Sequence, residues 1–237
     1  MSGDFLGLAP ADWTSLWLSA RISAAAVLLS LPPGIALAWV LARKSFRGKA
    51  VVETLLSLPL VLPPVVTGLL LLYLLGPNST LGSSLESGLG LRIAFTWKAA
   101  VLAVAVVGFP LLVGAARVAF EGVDPGLVAA ARTLGASRFD AFRSVTLPLA
   151  RHGLVAGVVL AFARGLGEFG ATMMFASIRP ETTTLAIQVY TLHNQPGDAA
   201  AMRMWRVVAA SVLLSFAAIV ASRVYATRAR DGRRVTS

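Results

Sequence analysis

Arg21 and Arg43 enclose 21 residues without a charged side chain, and the pattern recurs along the chain. Glu53 and Glu86 enclose 32 such residues, Lys98 and Arg117 enclose 18, and Arg206 and Arg223 enclose 16. About 20 apolar residues are what a helix needs to cross the ~30 Å hydrocarbon core of a bilayer. Away from water every backbone N–H and C=O must be satisfied internally, which leaves few folds open. Composition agrees: of 237 residues 57% are hydrophobic and 14% charged, more apolar surface than one soluble core can hide. The expectation is a single-domain, all-α integral membrane protein, residues 1–237, with about five transmembrane helices. They fall near 14–42, 51–75, 98–120, 149–178 and 205–227, with Trp13, Trp17, Trp97 and Trp205 at the edges, where indole rings anchor a span.

The charges exclude other classes. A net charge of +10 would point to nucleic acid in a soluble protein. Here the Lys and Arg residues sit mainly in the gaps between apolar runs, which is a mark of membrane orientation, and no nucleic-acid partner is expected. The interval Arg43 to Lys49, the stretch 124–148 and the basic tail all fall on one face of a five-span chain. That face is expected to be cytoplasmic, with the amino terminus outside and the carboxyl terminus inside. The amino-terminal MSGDFLGLAP carries an acid and no base, the reverse of a signal peptide, so no cleavage is expected. The chain has no cysteine and its histidines, His152 and His193, are far apart in sequence, so no metal site is expected.

Prolines interrupt two spans. Pro32 and Pro33 should kink or loosen the first, since each lacks an N–H. Pro59, Pro63 and Pro64 fall near the middle of the second, where irregular backbone is tolerated only against protein or a watery cavity. A packing kink and a pore-lining role both fit them. Gly76 to Gly90 reads as a loop of turn formers.

The most specified polar stretch is Asp124 to Pro148, DPGLVAAARTLGASRFDAFRSVTLP. Asp124-Pro125 is a helix start, Gly135 suits the left-handed residue that ends a helix near Leu134, and Ser137-x-x-Asp140 starts a second helix toward Val145. Leu127, Ala131 and Leu134 share one side of the first helix, and Phe139, Phe142 and Val145 one side of the second. Arg132, Arg138 and Arg143 flank them. The expected product is a bent, partly apolar knob on the cytoplasmic face, with Pro148 marking the return to the membrane.

This stretch resembles the coupling loop of ABC importer permeases, whose pattern is Glu-Ala-Ala, three residues, Gly, nine residues, Ile, one residue, Leu-Pro. The chain has Ala129-Ala130-Ala131, Gly135, Val145, Leu147 and Pro148, departing at Ala129 and Val145. A closer resemblance spans most of the sequence. ARKSFRGK (42–49), LPLVLPPVVTG (58–68), AFEGVD (119–124), AARTLGAS (130–137) and ARGLGEFGAT (163–172) look like the permease subunits of molybdate and tungstate importers. Sulfate and thiosulfate permeases share the LGEFGA core. The resemblance implies alternating-access transport of molybdate or tungstate, with sulfate or thiosulfate as the alternative, across the bacterial cytoplasmic membrane. It also implies a second copy of the subunit, two cytoplasmic ABC ATPase subunits and a periplasmic or extracellular oxyanion-binding protein. No cofactor is expected in this chain, because ATP and Mg belong to the ATPase. In keeping with this, the sequence has no G-x-x-x-x-G-K-[ST] phosphate loop.

Arg164 and Glu168 stand near the midpoint of the fourth span, where an isolated charge costs about 2.5 to 3.5 kcal/mol. At i and i+4 they can pair along one helix. Two readings follow: a salt bridge that neutralises buried charges, or a face lining the translocation path or gate, together with Pro59, Pro63 and Pro64. Gly165-x-Gly167-x-x-Gly170 matches the dinucleotide fingerprint formally, but no strand precedes it. Gly153, Gly157, Ala161 and Gly165 recur every four residues, a small-residue stripe that lets helices approach, with the second copy as one possible neighbour. A membrane-embedded lipid-modifying enzyme is the rival class. Against it, the spans hold one clear carboxylate, Glu168, and no acid cluster or Cys dyad for acid-base or nucleophilic chemistry.

Overall fold

The computed structural model describes residues 8–234, and every regular element among them is helical. The expectation about cleavage rests largely on residues 1–7, outside the described residues. Helix α1 (Pro10–Arg43) starts with Pro10 at its first position, and Ala9 N–H donates to Asp12 Oδ2 at 2.9 Å. It continues through Pro32 and Pro33 without a break.

The second expected span is broken. Helices α2 (Lys49–Val61) and α3 (Pro64–Leu75) meet at 113°. Pro63 and Pro64 supply no N–H, and each proline pushes its predecessor out of the helical region. Leu62 accordingly sits at ψ 141° and Pro63 at ψ 133°. Pro59 lies inside α2 and breaks nothing.

The expected loop at 76–90 contains helix α4 (Thr80–Leu89). Ser79 caps it, accepting the Gly82 N–H at 2.8 Å, a start signal hidden in a Ser/Gly-rich stretch. Helix α5 (Trp97–Glu121) follows. Then come α6 (Pro125–Thr133), α7 (Arg138–Ala141), a π turn (Phe142–Thr146), α8 (Leu147–Leu166), α9 (Gly170–Ala176), α10 (Leu185–His193) and α11 (Asp198–Arg234).

Two further expectations need correction here. The second helix of the central stretch does not stop near Val145, because α7, the π turn and α8 form one continuous run, Arg138–Leu166. Pro148 would cost an α-helix the bond to Ser144 O, and the wider turn, with Leu147 N–H donating to Phe142 O, takes up the ring without ending the helix. The fourth span, expected to reach 178 as one helix, ends at Leu166 and resumes as α9 after a break at 167–169. Four helices among the described residues are long and apolar enough to cross a membrane, and the bent α2–α3 pair makes a fifth.

Helix α5 is the centre of the packing. Its buried residues, Ala99, Ala103, Val107, Leu112, Val113, Ala116 and Phe120 among them, receive α1 on one side and α8 on the other. The small-residue stripe makes the α8 contact. Gly153 faces Ala119, Gly157 faces the Leu112 carbonyl and Ala115, and Ala161 lies against Gly108. A Cβ on Gly165 would stand 2.6 Å from Val104 Cγ1 and 2.9 Å from Ser23 Oγ on α1. The stripe therefore packs within the chain, against α5 and α1. Outside this core Leu28, Val61, Tyr73, Val118, Leu213 and Phe216 are exposed, as expected of a surface whose solvent is lipid.

Candidate functional site

The central element is built by its caps. Asp124 Oδ1 accepts the Gly126 N–H at 2.8 Å, and Pro125 holds the pre-set first helical position. Helix α6 ends in both bonds of a Schellman motif: Ala136 N–H to Ala131 O and Gly135 N–H to Arg132 O, each 3.1 Å. Gly135 takes φ +96°, a region favouring glycine. Ser137 and Asp140 close a capping box, with Asp140 N–H to Ser137 Oγ at 3.1 Å and Ser137 N–H to Asp140 Oδ2 at 3.2 Å.

One side of this element is fastened to the helices. Phe142 packs 6.1 Å from the ring centroids of both Trp39 and Phe120, Ala141 is buried, and Val128 joins the same cluster. Arg43 Nη2 donates to Val123 O at 2.7 Å, joining the end of α1 to the start of the element. Nearby, Arg117 binds Glu53 on α2 and Glu121 on α5, each at 2.7 Å. These contacts hold the element although Ala129 stands where the family pattern has Glu. Phe142 is thus an anchor, packed inward while Phe139, on the same side and three residues earlier, stays exposed. Phe142 keeps its α-helical spacing from Phe139, its N–H donating to Arg138 O, and the π turn opens only beyond it.

The other side is open. Leu134 is 89% exposed and Phe139 68%, and Leu127, Ala129, Ala130, Arg132, Arg138, Arg143 and Pro148 are also exposed, with Ala131 and Leu147 half-buried. An ordinary connecting loop gains nothing from presenting a leucine and a phenylalanine on a rigid, doubly capped frame. A docking surface does.

The second cluster lies where two helix breaks meet. Gly68 on α3 is against Ala171 on α9, and Gly170 is against Pro64 and Val65, contacts that leave no room for larger side chains. Glu168 sits in the break before α9. It is 1% exposed; its Oε1 accepts the Ala171 N–H at 2.9 Å and its Oε2 lies 2.8 Å from Arg164 Nη1. The pair is therefore real, but it bridges the end of α8 and the start of α9 and does not run along one helix as expected. The break has a cause: Gly165 and Gly167 weaken the helix, and the Glu168 carboxylate supplies an acceptor for the next one. Buried hydroxyls line this region, Thr67 and Thr172 beside the Gly68–Ala171 contact and Ser23 beside Gly165. Pro59 is not part of the cluster. It lines an apolar cleft of about 470 Å³ with Pro33, Leu55, Phe109 and Pro110.

Sequence reasoning missed a third constellation. Asp12 is fully buried and receives four hydrogen bonds: Arg203 Nε at 2.8 Å, Arg203 Nη2 at 2.9 Å, Gln188 Nε2 at 2.8 Å and the Ala9 N–H at 2.9 Å. Leu185 N–H donates to Ser19 Oγ at 2.7 Å alongside. Together they clamp α1, α10 and α11 at the end of the molecule opposite the central element. Asp12 and Arg203 are 191 residues apart, so no local spacing marks the pair. An acid beside a proline-started apolar helix was the one available signal.

The geometry agrees with relatives. The family of binding-protein-dependent transport system inner membrane components matches residues 34–231, which include the capped element, the polar break and α11 to within a few residues of its end. The chain belongs to this family. As such a membrane component it is a transport subunit, and the reading as a lipid-modifying enzyme falls. It is 50% identical over 206 residues to the molybdenum transport system permease protein ModB of Escherichia coli (strain K12), covering 86% of this chain and 90% of that one. It is 36% identical over 205 residues to the sulfate transport system permease protein CysT of Salmonella typhimurium, covering 85% and 71%. Among solved structures, a bacterial alginate ABC transporter in complex with an alginate pentasaccharide-bound periplasmic protein matches with a TM-score of 0.70 at 19% identity. That match covers 100% of this chain and 84% of the other and speaks to the fold.

Proposed function

We propose that this chain is the permease subunit of an ATP-driven importer of molybdate or tungstate. The observation that carries the substrate class is the 50% identity to a molybdenum permease over nearly its whole length, against 36% to a sulfate permease. In this reading two copies pair in the membrane, each engages a cytoplasmic ABC ATPase through residues 124–148, and an external oxyanion-binding protein delivers the substrate. The amino terminus faces out and the carboxyl terminus faces the cytoplasm. The basic intervals around Arg43 to Lys49 and Arg132 to Arg143 support this orientation.

The element at 124–148 holds no substrate and performs no chemistry. It transmits motion, because α7 runs without interruption into α8 and so to Arg164 and Glu168. A push on the exposed knob moves the helix that ends at the polar break. There the Arg164–Glu168 pair, the Thr67 and Thr172 hydroxyls and the Pro63–Pro64 break form the gate region, and Pro59 stands outside it. ATP and Mg act on the partner ATPase.

Vesicles holding the reconstituted complex and its binding protein should take up labelled molybdate or tungstate in preference to sulfate. Sulfate uptake exceeding both would overturn the substrate assignment. A Glu168→Gln variant should assemble in normal amount and transport roughly tenfold slower or worse. The amide can still accept from Ala171 N–H, but the ion pair with Arg164 is lost, and about 1.4 kcal/mol is a factor of ten. Wild-type transport by this variant would reduce the pair to simple charge neutralisation.

A further inference from the structure

We propose that the cleft between α1 and the 124–148 element binds one anionic phospholipid. The cleft has a volume of about 630 Å³ and two chemically distinct ends. At one end Arg43, Lys44, Arg132 and Arg138 converge, and no carboxylate lines it. At the other, Pro32, Ile35 and Ala36 of α1 make an apolar wall.

The cations are available. Arg132 and Arg138 form no ion pair among the described residues and are exposed. Lys44 lies 5.8 Å from the Trp39 ring centroid, an indole at the height of the basic cluster. Arg43 spends one nitrogen on Val123 O and keeps its other N–H groups. Four positive groups with no internal counter-charge, on a membrane helix beside a rigid polar element, are the arrangement that receives a lipid phosphate.

The dimensions select a lipid over other anions. At 1.5 Å rise per residue, Pro32 lies roughly 16 Å along α1 from Arg43. That is about half of the ~30 Å hydrocarbon core, the depth of one leaflet. A free phosphate would fill only the basic end and leave the apolar wall uncovered. A soluble ATPase could cover the outer face of the knob, but it could not follow α1 to Pro32 inside the membrane. One acyl chain along Ile35 and Ala36, with its phosphate on Lys44 and the arginines, satisfies both ends. The bound lipid would be a strut behind the docking knob, filling the space into which the element could otherwise tilt. The proposal is independent of which oxyanion is carried.

The test is native mass spectrometry of the purified permease–ATPase complex, exchanged into equal amounts of phosphatidylglycerol and phosphatidylcholine with the same acyl chains. The expected result is one phosphatidylglycerol retained per permease copy, with phosphatidylcholine lost and excess inorganic phosphate failing to displace the lipid. Lys44→Gln should lower the retained fraction about fivefold, whereas Lys44→Arg keeps it. Ala36→Phe, placed at an exposed position of the apolar wall, should lower it by obstruction without touching a charge. Equal retention of the two lipids, displacement by phosphate alone, or undiminished retention in both Lys44→Gln and Ala36→Phe would each overturn the site.

Discussion

A Gly135→Val permease is expected to insert in normal amount and to lose about 5- to 30-fold of its uptake while the partner ATPase still hydrolyses ATP. Gly135 stands at φ +96° and closes the Schellman motif that turns α6 toward α7. Space is not the obstacle, since a Cβ there would meet nothing within 4 Å. The obstacle is the backbone, because a β-branched residue at positive φ is strained by about 1–2 kcal/mol. That energy shifts the ratio of bent to unbent element by the same 5- to 30-fold, while the spans and their core, which are remote from the bend, stay intact. Gly135→Asn is the control, because Asn visits the left-handed region far more readily. It should retain most of the uptake. The readout is ATP hydrolysed per oxyanion imported, and a wild-type ratio in the valine variant would mean that the bend does not couple the subunits.

The largest loss of stability is expected from Asp12→Ala. The fully buried carboxylate receives both Arg203 contacts, Gln188 and a backbone N–H. Removing it leaves Gln188, the Ala9 N–H and a guanidinium that is one-third exposed without their acceptor, at a cost of about 2–3 kcal/mol. Thermal unfolding in detergent should fall clearly, with α10 and the start of α11 the first to loosen. Asp12→Leu combined with Arg203→Met should recover much of the loss, because apolar replacements of similar volume can match a buried pair. A single variant as stable as wild type would show that the clamp is dispensable.

Much of this architecture is legible in the sequence because membrane helices are set by length and charge. The first, third and fifth apolar runs correspond to α1, α5 and α11, and the caps at Asp124, Gly135 and Ser137 are local signals that local geometry obeys. What escapes has a physical reason in each case. The break before α9 depends on Glu168 capping Ala171, which looks from sequence like a helical i, i+4 partner of Arg164. The continuity of α7 into α8 depends on a π turn absorbing Pro148, and π turns leave no reliable spacing signature. The destination of the small-residue stripe, and the pairing of Asp12 with Arg203 across nearly the whole chain, are tertiary facts with no local spacing to reveal them.

The central claim is that the knob at 124–148 seats the ATPase on the cytoplasmic side, and one measurement bears on it most directly. The chain has no cysteine, so Leu134→Cys, at a position 89% exposed, places a single thiol at the tip of the element. In the assembled transporter that thiol should cross-link to the ATPase subunit, and in intact cells it should resist a membrane-impermeant maleimide. Labelling from outside the cell, or a fully assembled complex in which the thiol reaches no ATPase residue, would contradict the account.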